Sequence, residues 1–247
     1  GAGGPLAVYF VAIVACEFGK IVSKETKIDI LVTPIVTVLI GIGFSSLVAA
    51  PIGAAASAVG DAVKWATLQQ PFIMGILVSV IIGIALTLPI SSAAIGVMLG
   101  LDGLAAGAAT IGCCCQMIGF AVSSYRDNGF GGLLSQGLGT SMLQVPNIVR
   151  HPLIWFPPII SSAILGPIAI SPLFNMVNNA TGSGMGTSGL VGQIMTYQTM
   201  CVYEAPKMVL IKILIFHFIL PAFITWTVAQ GMRKMGYIHE GDMKLEV

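Results

Sequence analysis

The chain has 247 residues, of which 56% are hydrophobic and only 9% charged, and its mean hydropathy is +0.95. Soluble domains carry about 25% charged residues, so an ordinary soluble domain is excluded. Eleven Lys and Arg against ten Asp and Glu leave a net charge of +1, too little basic surface for the phosphate contacts that drive nucleic-acid binding. Thirty Gly and thirteen Pro set inside apolar runs point to close helix packing and broken helices. The expected fold is an all-α polytopic membrane protein of about six to seven or more transmembrane helices. It forms a single domain over 1–247, and the opening Gly-Ala-Gly-Gly without Met suggests a truncated or processed start.

The few charges mark the spans. Residues 30–60 and 152–203 contain no Asp, Glu, Lys or Arg, and 65–125 contain only Asp102. Each run exceeds the ~20 residues that cross a hydrocarbon core. In chain order the expected spans are 5–19, 30–50, 71–88, 95–123, 152–174 and 206–230. Between them, 54–70 places Ser57, Asp61 and Lys64 on one helical face, with Val59 and Trp65 elsewhere, as in a helix lying in the membrane interface. A short solvated connector is the alternative.

Segment 131–149 repeats this pattern without charge. Gln136, Thr140, Gln144 and Asn147 form a polar stripe, and Leu134, Leu138 and Val145 lie on another face. A helix of this kind is expected to line a cavity for a neutral solute.

The segment 175–193 is dense in Gly and in uncharged donors and lies within a charge-free interval. Such backbone is tolerated at membrane depth only where protein buries it or a wet cavity borders it, which predicts a re-entrant loop. An exposed Gly/Ser loop is the plainer reading. The preceding span carries Pro157, Pro158, Pro167 and Pro172 and is expected to be broken, as helices near transporter substrate sites are.

Lys20, Lys24 and Lys27 mark one cytoplasmic loop, and Arg233 and Lys234 mark another. An even number of crossings between them requires one passage beyond the five later spans, most economically 187–203. The three consecutive cysteines, Cys113 to Cys115, match no zinc-ligand or disulfide pattern and read as reduced packing residues. Gly96, Gly100, Gly103 and Gly107 read as sites of close helix approach.

Ionisable residues inside spans are costly and therefore mark possible sites. Asp102 stands either as such a residue or as a loop residue between two half-helices. His217 reads as a satisfied core histidine, and His151 follows Arg150 at the entrance to the proline-rich span. Glu204 opens the last hydrophobic stretch and either meets solute or pairs with Lys207 one turn away. No Ser/His/Asp, metal-ligand or phosphate-loop constellation stands out, so no catalytic residue, metal or cofactor is expected.

Thr33 with Pro34, the Ala50-Pro51-Ile52-Gly53 turn, the Gly-rich stretch 75–89 and above all Asn178 and Asn179 with 182–192 resemble the EIIC-type membrane components of the bacterial phosphotransferase system. The resemblance covers nearly the whole chain and is closest to the branch containing perfringolysin-regulator-like proteins. It implies a homodimeric sugar permease in the bacterial cytoplasmic (inner) membrane, working with a cytoplasmic EIIB-type protein. Phosphoryl transfer would then lie with separate EIIA and EIIB chains.

Fructose-type members carry a Gly-Gly-Pro-Val-Asn-Lys-like motif where this chain has Leu88-Pro89-Ile90-Ser91-Ser92, and the acidic-Gly pair of sugar-binding loops is missing before Asn178. The substrate-binding candidates are Ser91, Ser92, Asn178, Asn179, Thr181, Ser183, Thr187, Ser188, Gln193 and Glu204, whose donors and acceptors mostly suit a neutral hydroxylated solute. The alternative function is a non-transporting membrane sensor that keeps the permease fold.

Overall fold

The computed structural model describes residues 4–24 and 29–245. Lys27 and residues 1–3 lie outside them, as do the side chains of Ser57 and Val59. The chain divides into two compact units, 1–60 and 61–247. Every regular element among the described residues is helical.

Helix α1 (Gly4–Val22) and the first part of α2 (Asp29–Gln69) make the first unit. An added Cβ at Gly41 would meet the Ala15 Cβ at 3.5 Å, so the two helices are in contact there. Ile30, Leu31, Val38, Leu39, Ile42 and Leu47 are all exposed, as on a helix built to face hydrocarbon on several sides.

α2 runs without interruption through Pro34 and Pro51. The expected turn at Ala50 to Gly53 is therefore replaced by helix, and the residues from 54 to 69 continue α2 instead of forming a separate helix. Asp61 and Lys64 do share a face there, paired at 2.7 Å.

The second unit is built around α5 (Gly103–Ser123). Its Gly, Ala and Cys side chains are small on every face, so neighbours approach it from all sides, and 17 of its 21 residues are buried. Against it pack α3 (Pro71–Thr87), α8 (Phe156–Ala169) and α12 (Leu220–Lys234). At the closest of these approaches a Cβ on Gly112 would fall 2.8 Å from the Ser79 Cα and nearer still to its carbonyl.

Cys113, Cys114 and Cys115 are free thiols in this core. α4 (Ser92–Met98) is separated from α5 by a turn at Leu99 to Asp102. Asp102 is the exposed loop residue between two half-helices.

Among the described residues, four helical stretches are long and apolar enough to cross a membrane: Asp29–Ala55, Gly103–Ser123, Pro152–Ala169 and Pro206–Lys234. Pro71–Thr87 is a shorter apolar helix. The crossing expected at 187–203 is not formed. Its helix, α10 (Val191–Met200), has ten residues, a length of about 15 Å at 1.5 Å per residue, half of what a span needs.

The prolines break the 152–174 span less than expected. Pro157 and Pro158 occupy the first positions of α8, where no backbone N–H is needed, Pro167 lies in its last turn, and Pro172 follows its end.

The predicted single helix over 131–149 is divided among the end of α6 (Tyr125–Leu134), a π turn at Ser135–Gly139, a 3₁₀ turn at Ser141–Gln144 and α7 (Val145–Arg150). Its amides do not line a solute cavity. Gln136 Nε2 donates to Ser124 Oγ at 2.8 Å, and Gln144 Nε2 to Gln136 Oε1 at 2.9 Å and to the Met243 carbonyl at 3.0 Å. Asn147 Nδ2 donates to the Lys244 carbonyl at 2.9 Å. Asn128 adds bonds to both the Met243 carbonyl, 2.8 Å, and the Leu245 N–H, 2.7 Å. The stripe is a cradle for the segment 236–245, which also buries Ile238 and Met243 beside Phe120.

Candidate functional site

The segment after α8 is irregular from Asn175 to Asn179 and then forms the single-turn α9 (Ala180–Ser183). Several of its backbone donors are paired within the protein. Met176 N–H donates to the Ala169 carbonyl at 2.9 Å and Asn178 N–H to the Gly103 carbonyl at 3.2 Å, an isolated antiparallel bridge. Asn178 Oδ1 accepts from the Asn179 N–H at 2.8 Å, and Asn179 Oδ1 caps α9 by accepting from Gly182 at 3.0 Å. These bonds help non-helical chain sit beside a buried helix.

Fully buried Asn178 also donates to Thr110 Oγ1 at 2.7 Å and to the Gly192 carbonyl at 3.3 Å, tying the segment to α5 and α10. Ser183 Oγ donates to the Ala180 carbonyl at 2.8 Å, and buried Thr187 donates to the Gly137 carbonyl at 2.5 Å. Gly186 has φ +52° with its Cα against Cys113, a left-handed position that glycine takes without steric penalty.

Where this segment meets the α3–α4 turn there is a cavity of about 150 Å³. Ser91, Ser92, Thr140 and Ser188 contribute its polar lining, and Leu86, Met117 and Met185 contribute apolar surface. Ser91 Oγ caps α4 by accepting from the Ala94 N–H at 3.2 Å, and Ser92 Oγ donates to the Gly184 carbonyl at 2.6 Å, so both serines are held by local structure.

The ten candidates thus fall into groups. Ser91, Ser92 and Ser188 line the cavity; Asn178, Asn179, Ser183 and Thr187 hold the loop that forms its wall; Thr181 is exposed. Gln193 lies deeper, its Nε2 3.0 Å from His217 Nδ1 and 3.5 Å from Cys114 Sγ. His217 itself sits in a π-helical turn, Leu214–Ile219.

Glu204 lies outside the cavity lining and does not pair with Lys207. It accepts from Lys212 Nζ at 2.6 Å, and Lys212 also donates to the Phe174 carbonyl at 2.7 Å, fastening the start of the irregular segment to α11 (Pro206–Ile213). Lys212→Met is expected to lose about 1–3 kcal/mol of stability, whereas exposed Lys207→Ala stays within about 0.5 kcal/mol. Thermal melting of the two purified variants checks this, and equal melting would refute the Lys212 assignment.

Polar groups that sequence inspection passes over complete the surroundings. Thr87 Oγ1 lies 2.9 Å from Ser141 Oγ and donates to Gln116 Oε1 at 3.2 Å, and Trp155 Nε1 donates to the same Gln116 oxygen at 3.0 Å. Gln116 Nε2 is buried without a partner among the described residues. Thr87, Gln116 and Trp155 each stand alone in an apolar run, so only the density of polar groups facing one another across helices would have revealed them.

Apolar spans, a buried small-residue helix and an irregular polar segment folded against it define a multi-pass α-helical membrane protein. The family model described as "Phosphotransferase system, EIIC" matches residues 1–245. The chain belongs to that family and is a membrane permease component of the phosphotransferase system. No curated protein and no solved structure matched.

Proposed function

We propose that this protein carries a single small sugar across the bacterial cytoplasmic membrane, as one EIIC domain over 1–247, and presents it to a cytoplasmic EIIB-type protein for phosphorylation. The segment 175–193 is a re-entrant loop, and the solute binds in the adjoining cavity through Ser91, Ser92 and Ser188, joined by Thr140. Asn178, Asn179, Ser183 and Thr187 shape the wall, and Thr181, Gln193 and Glu204 act when the loop moves. The protein works as a homodimer, which crosslinking in native membranes would detect as a doubled mass.

The supporting observation is the cavity of about 150 Å³ rimmed by uncharged hydroxyls where a loop fastened by side-chain hydrogen bonds meets a helix break. Uncharged donors and acceptors match sugar hydroxyls. A space of this size suits one small solute.

Uptake of a panel of labelled sugars into proteoliposomes, with and without candidate EIIB proteins, tests the reading. Ser188→Trp fills the cavity and is expected to abolish both binding and uptake of the sugar that the native protein accepts. Uptake at the native rate would refute the site, and binding without uptake in the native protein would favour a sensor.

A further inference from the structure

A second cavity, of about 340 Å³, opens at the far end of α5, where α6 and α12 meet it. Val122 and Leu133 give it apolar walls, and Tyr125, Arg126, Trp226 and Gln230 give it polar tips. Arg233 Nη2 donates to the Ser123 carbonyl at 2.9 Å, and this bond places the C-terminal ends of α5 and α12 side by side. Both helices belong to membrane-crossing stretches, so the cavity lies where spans emerge from the hydrocarbon.

Charge and aromatic content at this end point the same way. α6 and α12 carry three cations, Arg126, Arg233 and Lys234, against one carboxylate, Asp127, and the segment 236–245 packed on α6 adds Lys244 with Glu240 and Asp242. Asp127 is already engaged, 3.7 Å from Arg233 and accepting from the Gly241 N–H at 3.1 Å. Exposed Arg126 has no ion-pair partner among the described residues. Nε and Nη1 of Arg233 are buried without partners there. Trp226 and Tyr125 are 47% and 49% exposed, in the amphipathic positions such rings take at headgroup level.

The geometry points to a site for an anionic phospholipid of the surrounding bilayer, its phosphate on Arg126 and its acyl chain along Val122, Leu133 and Trp226. Basic pockets between spans bind anionic headgroups in this way, and each Arg or Lys near the surface contributes about a five-fold gain in affinity. Gln230 supplies an amide for glycerol or phosphate oxygens. The site lies apart from the sugar cavity, and its test requires no transport.

The full-length protein is delipidated, incubated with equal amounts of phosphatidylglycerol and phosphatidylcholine, and the retained lipid is counted by native mass spectrometry. Phosphatidylglycerol is expected to be retained in preference. Arg126→Gln is expected to weaken that retention about five-fold, and Arg126→Lys to preserve most of it. Brominated phosphatidylglycerol is expected to quench tryptophan fluorescence in the native protein and to lose most of that effect in Trp226→Phe. Equal retention of the two lipids, unchanged retention in Arg126→Gln, or complete displacement by millimolar inorganic phosphate would each overturn the proposal, the last by marking a site for free anions.

Discussion

Asn178→Ala is expected to lose about 3 kcal/mol of stability and to abolish solute binding. The amide makes three bonds at once, to Thr110 Oγ1, the Gly192 carbonyl and the Asn179 N–H. Truncation strands the last two groups in a dry interior, at about 1–3 kcal/mol for each unsatisfied group. The loss also frees the loop that walls the cavity, so binding falls with stability. Thr181→Ala, three residues away and exposed, is expected to stay within about 0.5 kcal/mol. Comparing the melting curves of the two variants with sugar binding checks both statements. An Asn178→Ala protein that melts with the native one would mean that the loop is not fastened through this side chain.

Gly112→Ala is expected to be more damaging still. The new methyl would enter the backbone of Ser79, and Ser79 Oγ in turn donates to the Ser162 carbonyl at 2.8 Å, so α3, α5 and α8 share one junction. Overpacking against a side chain is relieved by a rotamer change, but here the obstacle is main chain and a whole helix must move. A cost above about 3 kcal/mol follows, with loss of the monodisperse peak in size-exclusion chromatography. Gly43→Ala, with open space around it, should gain about 0.5–1 kcal/mol from reduced backbone entropy. A monodisperse Gly112→Ala protein with native melting would show that the helices do not approach as closely as described.

The main helices were legible because charge is expelled from hydrocarbon. The charge-poor intervals enclose α3, α5 and α8, and Asp102 marks the second of the two turns that separate α3, α4 and α5. The irregular backbone at 175–179 was legible for a related reason, since Gly and amide side chains accumulate where chain leaves regular structure inside protein.

What sequence spacing misjudged was pairing across helices. Glu204 was matched with Lys207 by counting one helical turn, but α11 begins only at Pro206, so Glu204 stands outside the helix and turns to Lys212. The proposed crossing at 187–203 came from charge parity, which counts passages without knowing how much of a segment becomes helix. The cavity lining was legible at Ser91, Ser92 and Ser188, and Thr140 was noticed for a stripe whose other members have a different task.

That stripe has a consequence for biosynthesis. Gln144 and Met243 are 99 residues apart in the chain, and Asn128 and Met243 are 115 apart. At about 5–20 residues per second on the ribosome, the amides of Gln144, Asn147 and Asn128 wait roughly 5–20 seconds for the carbonyls they will hold. Throughout that interval α5 and α6 are already made while their end of the bundle is unsealed, and water or lipid headgroups must occupy the cradle. A nascent chain arrested shortly before Gly236 would therefore hold its spans with this polar cradle open.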